Sequence, residues 1–524
     1  MRQWARRHDS AVVAGGAAVI SIVSWIVFFS LHLTTDYNDA MSHLDVARLV
    51  VDNIQPGLAQ LGSVWLPMNH ILSLPFIWND TLWHTGLAGS LISMASFVIS
   101  AVALYKLIIH LSGSRVAGAV AAVAFVVNIN MLYLQSTPLT EPLYICLFML
   151  SLLFLTEYIK YRSNNALIAL ALVSAVGILT RYDAWFVAGI IGLVIVINDL
   201  VVERQKVNAV IGRFVLYASP ILFAALLWFG WNWLIFHDPL YAFTGPYSAH
   251  AQQAAIESSS GLITKHSAVM SSWAYILSVA RNIGIVAAVL GLVGWLLYLF
   301  FSKVAKTSVK IFVFTTAISI IVFNVLALFL GFSILNLPEL HWNPSGTLAG
   351  ELFNVRYGIL ALPFVASGIG LLVAVIKLKY VKVWAPAAMI VVLLLQSSYT
   401  YATGVITIED GQRGSSAFVN EDIAKQLKMH VGPNDMVIMS TSSYNAVAFE
   451  SGLDLKQFIH EGVSSEWNGA ISQPEKYAKW VVASNNDVGE PVHTSLINNQ
   501  HSAFLQKYTR IFKGAYASLY ERKW

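Results

Sequence analysis

The sequence is poor in charge, in cysteine and in any motif that binds a nucleotide. Only 11% of its 524 residues are charged, while 57% are hydrophobic. Soluble globular domains carry about 25% charged residues, so the composition excludes that class and points to a multispanning membrane protein. A single cysteine, Cys146, excludes an intramolecular disulfide and any cysteine metal cluster. It lies in an apolar run and reads as a small buried residue. There is no Walker loop, no glycine-rich dinucleotide loop, no His-Glu-x-x-His and no serine-nucleophile elbow. These absences argue against a nucleotide-using cytoplasmic enzyme, and no nucleic-acid partner is expected. No internal repeat is visible. The basic start, Arg2 to Arg7, leads into a full-length apolar segment with no small-residue cleavage site, unlike a signal peptide.

What is present is a series of apolar runs. A spanning helix needs about 20 apolar residues, and eleven candidates follow one another: 12–33, 86–109, 116–131, 142–161, 167–180, 185–200, 214–236, 283–301, 311–335, 357–376 and 383–401. Basic residues orient such a chain. With the N-terminus inside, the inner ends hold Arg2, Arg6 and Arg7, Lys106 and Arg115, Lys160 and Arg162, Arg204, Lys206 and Arg213, Lys303, Lys306 and Lys310, and Lys377, Lys379 and Lys382. The outer loops before the tail hold only Arg48, Arg181, Lys265, Arg281 and Arg356. An odd number of spans then leaves the C-terminal tail outside. Most acids before the tail lie on that same outer side, among them Asp36, Asp39, Glu141 and Asp183. Acids contribute little to topology, so their clustering suggests an outward-facing polar cavity.

The first outer loop, 34–85, is long. Asp36 and Asp39 stand where the first span leaves the membrane. If the chain is helical from Asp39, then Asp39 and His43 share a face one turn apart. Residues 46–54 read as an amphipathic helix on the membrane surface, ended by Gln55-Pro56-Gly57. The Leu72-Ser73-Leu74-Pro75-Phe76 segment is too short and proline-broken to span. The outer segments 237–282 and 336–356 read as loops, the latter with His341-Trp342-Asn343-Pro344. Beyond Gly404 the composition turns polar. Residues 409–414 read as a linker, and the tail as a small soluble α/β domain with a helix over 418–430 and strands at 436–439, 480–483 and 515–520. Two domains are therefore expected, 1–404 in the membrane and 405–524 outside it.

Four motifs carry candidate chemistry. Asp36 and Asp39 are either solvated loop acids, one capping a helix, or a general base or cation site, since a partly desolvated carboxylate has a raised proton affinity. Thr140-Glu141-Pro142 puts Glu141 at a helix start, a favourable place for an acid whether or not it acts on substrate. In Thr180-Arg181-Tyr182-Asp183, Arg181 suits a phosphate with Asp183 orienting it, or an interfacial ion pair. In Asn354-Val355-Arg356-Tyr357, Arg356 suits bidentate phosphate recognition. His43, His70 and His341 read as interfacial hydrogen-bonders rather than metal ligands.

In order and sidedness, these motifs resemble the GT-C-fold membrane glycosyltransferases, the group that includes protein O-mannosyltransferases and aminoarabinose transferases. The resemblance covers nearly the whole chain. It rests on the acidic motif in a long first outer loop, Thr140-Glu141-Pro142, Thr180-Arg181, Arg356-Tyr357 and the external tail. It implies a sugar donor on a polyprenyl phosphate, inversion at the anomeric carbon, and a lipid, glycan or protein acceptor. By similarity Asp39, or failing that Asp36, is the base, and Arg181 and Arg356 bind the donor phosphate. Glu141 orients a substrate, while His43, Arg48, His70, Asp183 and Tyr357 line the substrate site. The usual adjacent acidic pair is replaced here by Asn38-Asp39, with Asp36 further back. A divalent cation in this loop is implied for some members of the group. The expected setting is a prokaryotic plasma membrane. Rival readings are a transporter or lipid flippase, whose charges would sit mid-membrane on broken helices, and a non-catalytic scaffold.

Overall fold

The computed structural model describes residues 2–61, 64–245, 248–340, 350–376, 379–414, 419–487, 489–499 and 501–523. Pro246, the His341-Trp342-Asn343-Pro344 run, Lys377 and Phe418 lie outside the described residues. In chain order the helices used below are α1 (Arg2–Ser30), α2 (Asn38–Arg48), α3 (Met68–Ile77), α4 (Leu87–Ser112), α5 (Arg115–Val126), α6 (Glu141–Tyr161), α7 (Asn164–Ile178), α8 (Asp183–Ile197), α9 (Val207–Phe236), α10 (Ala268–Ile283), α11 (Ile285–Phe301), α12 (Thr307–Leu330), α13 (Leu362–Val375), α14 (Lys379–Thr403) and α15 (Ile406–Arg413). Among the described residues eight helical segments are long and apolar enough to cross a membrane. The bent pair α10–α11 brings this to nine, and α5 and α7 are shorter apolar helices. Each of the eleven apolar runs falls on a helix, and the chain is a polytopic membrane protein.

The chain sorts into two compact units. The first comprises Met1–Thr34, Ser63–Asn69 and Ser90–Ser415; the second comprises Thr35–Gly62, His70–Gly89 and Ser416–Trp524.

In the first unit, local chemistry sets the helix ends. Ser114 and Ser163 cap α5 and α7 by accepting from the N–H of Ala117 and Ala166. Gly331, at φ 75°, stops α12 at Leu330, short of the predicted 335. The 357–376 run opens with a 3-10 turn, Val355–Ala361, before α13. Helix α11 packs closely on α13. A Cβ on Gly294 would lie 1.9 Å from the Gly368 carbonyl oxygen, so only glycine admits this approach.

Two expectations fail in this unit. The segment 237–282, predicted as an outer loop, is not a plain loop, because it holds α10, which meets α11 at a 108° bend. The bend is stitched by one side chain. Gln396 Nε2 donates to the Ile283 carbonyl at 2.6 Å, and its Oε1 accepts from the Ala287 N–H at 3.0 Å. The polar stretch 409–414 is not a linker either. It is most of α15, whose Thr407 is buried and bound to Asn130.

In the second unit a five-stranded sheet has the order β2-β1-β3-β5-β4, formed by β1 (Val437–Ile438), β2 (Phe458–Ile459), β3 (Trp480–Ser484), β4 (Tyr508–Lys513) and β5 (Ala517–Arg522). β1 pairs in parallel with β2 and β3, and β5 lies antiparallel between β3 and β4. All five residues of β3 are buried, as expected for a continuous apolar run covered on both faces. Trp480 and Val482 join a core with Ile423 of the helix Glu421–His430 and with Val447 and Phe449. Val481 and Ala483 face the opposite core with Leu496 and Tyr508.

First-loop residues belong to this unit's core. Met41, Leu44 and Ala47 of α2 pack with Ile77, Trp83 and Phe449. The predicted surface helix over 46–54 is therefore displaced. The helix is α2, it ends at Arg48, and most of it is buried. Its first turn starts at Asn38-Asp39, where an acid favours the N-terminus. Past Leu49 the chain turns so that Asp52 accepts the N–H of Leu455.

Candidate functional site

Five of the residues selected by motif come together in the first unit. Glu141 opens α6, Arg181 follows α7, Asp183 opens α8, and Arg356 and Tyr357 lie on the 3-10 turn before α13. Arg181 Nη1 and Arg356 Nε both donate to Glu141 Oε1, each at 3.1 Å. Arg181 Nε donates to Asp183 Oδ2 at 2.7 Å, and its Nη1 also reaches Thr140 Oγ1 at 3.3 Å. Both guanidinium groups lie over the Tyr357 ring, at 5.1 and 5.6 Å from its centroid. Glu141 is 2% exposed and Arg356 4%, so these charges are almost wholly out of water. Burial opposes the charge of Arg181, but Asp183 and Glu141 more than offset it and hold it protonated.

Such a cluster costs solvation and persists where its groups are paired. Two guanidiniums against two carboxylates balance in charge. On α6, Glu141 Oε2 and the Tyr144 hydroxyl are buried with no hydrogen-bond partner among the described residues. Unsatisfied buried groups of this kind call for water or a ligand. Tyr144 is a site residue that the sequence reading missed. Its spacing, one turn after Glu141, was the available signal, and its ring lies 6.0 Å from the Arg181 guanidinium carbon.

The remaining candidates are in the second unit. Asp39 sits in the first turn of α2, and Asp36 lies two residues before that helix. Both are half-buried. One turn after Asp39, His43 is buried, and its Nδ1 lies 2.9 Å from His70 Nε2 on α3. Burial, then the neighbouring His43, lowers the His70 pKa to about 3, which keeps this imidazole neutral. Arg48 is engaged by the protein itself. It donates to Asp52, to Asp80 and to the carbonyls of Ile77 and Trp78, and it stacks 4.6 Å from the Trp83 ring centroid. Beside it the sequence reading missed Asp45. This carboxyl is fully buried, accepts from Trp83 Nε1 at 3.1 Å, and is pushed well above the usual carboxylate range by burial. Among the described residues, no three His, Cys, Asp or Glu side chains gather as ligands for a metal ion.

No protein-family profile matches the chain, and no curated relative does. Solved structures do. ArnT from Cupriavidus metallidurans, bound to undecaprenyl phosphate, superposes with a TM-score of 0.55 at 12% identity, covering 96% of this chain and 98% of that one. The oligosaccharyltransferase of Archaeoglobus fulgidus in its apo form superposes with a TM-score of 0.54 at 10% identity, covering 92% of this chain and 70% of that one. The fold is that of the GT-C membrane glycosyltransferases. The complex of the Archaeoglobus enzyme with zinc and sulfate superposes with a TM-score of 0.52 at 11% identity, covering 97% of this chain and 72% of that one. In this chain the GT-C fold carries the ion cluster on α6, on the α7–α8 link and on the turn before α13.

Proposed function

We propose that the protein is an inverting glycosyltransferase that moves a sugar from a polyprenyl phosphate to an acceptor hydroxyl on the outer face of the membrane. The observation that carries this reading is the buried Glu141–Arg181–Arg356 cluster on a GT-C fold. It is supported by the undecaprenyl phosphate bound to the structurally similar ArnT. The basic residues favour an N-terminus in the cytoplasm and the second unit outside.

Arg181 and Arg356 hold the donor phosphate. Asp39, or failing it Asp36, takes the acceptor proton. The acceptor oxygen then attacks the anomeric carbon from the face opposite the phosphate, and the carbon–oxygen bond to phosphate breaks. Negative charge grows on the departing polyprenyl phosphate, where fixed cations stabilise it without reorganising. Glu141 Oε2 and the Tyr144 hydroxyl, which lack partners among the described residues, are available to sugar hydroxyls. Arg48 holds the shape of the first loop through its four protein acceptors. His43 and His70, a mutual pair, brace the base-bearing helix. Asp183 orients Arg181, and the Tyr357 ring supports both guanidiniums.

The test is to incubate the protein in lipid with a panel of polyprenyl-phosphate sugars and acceptors and to follow release of polyprenyl phosphate. Release by the wild type that is lost in Asp39→Asn, with Asp36→Asn retaining it, is the expected result. Equal release by all three proteins removes the first-loop acids from the mechanism.

A further inference from the structure

Arg356 is held by more than its ion pair. The Val355 carbonyl, one residue before it, accepts from Asn282 Nδ2 at 2.6 Å and from Ser278 Oγ at 2.7 Å. The Tyr357 carbonyl, one residue after it, accepts from the Tyr275 hydroxyl at 3.3 Å. All three donors lie on one face of α10. Gly358 presses on the same face, where a Cβ would sit 2.5 Å from Ser278.

Asn282 is itself anchored from the far side. Its main-chain oxygen accepts from Asn128 Nδ2 at 3.0 Å and Asn130 Nδ2 at 2.9 Å. Asn130 Oδ1 in turn accepts from the N–H and hydroxyl of Thr407 on α15. A cavity of about 20 Å³ lies alongside, lined in part by Asn128, Asn130, Asn282 and Gln396. That is room for a single water. Asn282 Oδ1 is buried with no partner among the described residues.

We infer that Asn282 is a positioning residue for Arg356. By gripping the Val355 carbonyl it fixes the turn whose guanidinium meets Glu141, and so sets where the donor phosphate finds its cation. Two segments distant in sequence, the Val355 turn and the 128–130 link, meet on this one residue, and Asn130 extends the chain of bonds to α15. The inference rests on the phosphate role proposed for Arg356.

The experiment uses the full chain in lipid nanodiscs and three readouts. These are undecaprenyl phosphate affinity, phenylglyoxal modification of Arg356 relative to Arg181 mapped by mass spectrometry, and thermal unfolding. The variants are Asn282→Ala, Asn282→Asp, which keeps the shape but loses the donor, and Ser278→Ala, each with and without Arg356→Gln. The Asn282 variants are expected to weaken affinity by about tenfold, the scale of one lost hydrogen bond in a buried setting. They should also raise Arg356 modification while leaving Arg181 unchanged. Ser278→Ala should move both readouts the same way by less. In the Arg356→Gln background, loss of Asn282 should cost no further affinity. Unchanged Arg356 modification in folded Asn282 variants, or affinity losses that add in full to those of Arg356→Gln, overturns the inference. A wild type that binds no undecaprenyl phosphate overturns the phosphate role instead, and the modification contrast still decides whether Asn282 holds Arg356.

Discussion

Arg356 and Glu141 are 215 residues apart in the chain, yet Arg356 Nε reaches Glu141 Oε1 at 3.1 Å with both side chains nearly inaccessible. Arg181 shares the same oxygen. One carboxylate therefore joins three segments of the first unit.

Removing that carboxylate is expected to cost far more than a surface ion pair. Glu141→Ala takes the shared acceptor from two buried guanidiniums, of which Arg181 keeps Asp183. Breaking a buried pair this way costs about 3–5 kcal/mol. Glu141→Gln, which keeps an acceptor, should cost less. Thermal unfolding in lipid checks the order, and equal stability of the two variants would contradict it.

Acid should weaken the second unit through His70. In the unfolded chain this imidazole takes a proton near pH 6.5, but in the folded chain only near 3. Between those values the unfolded state binds the extra proton, so stability is complete above about pH 6.5 and is lost as pH falls towards 3. Each pH unit crossed in that window costs ~1.4 kcal/mol for one proton, so the full loss amounts to several kcal/mol for this fully buried group. Unfolding followed from pH 7.5 to 4.5 should show this slope, and His70→Gln should flatten it.

Arg48→Lys is expected to behave as a disruptive change. A lysine ammonium cannot reproduce the fork that reaches Asp52, Asp80 and two carbonyls while stacking on Trp83. A loss of about 2–4 kcal/mol follows from unpaired buried acceptors. Limited proteolysis of the first loop would report it, and protection equal to wild type would count against this role.

Gly294→Ala should separate α11 from α13. Its new methyl group meets the Gly368 carbonyl, a backbone atom that cannot swing aside. Overpacking of this kind costs about 1–3 kcal/mol. The reciprocal change Gly368→Ala, which meets Gly291 in the same way, should show a similar loss in thermal unfolding.

The membrane helices were legible because hydrocarbon imposes one simple demand, an apolar run of sufficient length, and all eleven runs are helical. Helix α10 escaped because its pattern is inverted. Val269, Trp273 and Ile276 are exposed while Ser271, Ser278 and Asn282 are buried, so in water-soluble terms it reads as a polar loop. Helix α15 escaped because Glu409, Asp410 and Arg413 read as a linker. Strand β2 has two residues, and β4 is a largely exposed edge strand. The site residues were legible as cations and acids at helix ends on the side predicted to face outward. Their pairing was not, because sharing one Glu141 oxygen depends on how α6, the α7–α8 link and the turn before α13 converge. The partners of Arg48 were equally invisible, since Ile77 and Trp78 contribute only carbonyls.

The corner at Gly284 has a consequence for how this chain can vary. Raw carbonyls facing lipid cost several kcal/mol each, and here the Gln396 amide covers the Ile283 carbonyl and the Ala287 N–H. Gly284 in turn has φ 89°, a conformation that side-chain-bearing residues rarely adopt, and a Cβ there would meet the Gln396 amide at 2.2 Å. The two positions form a lock and its key. Neither is free to drift alone, and a descendant that straightens the corner must exchange both at once.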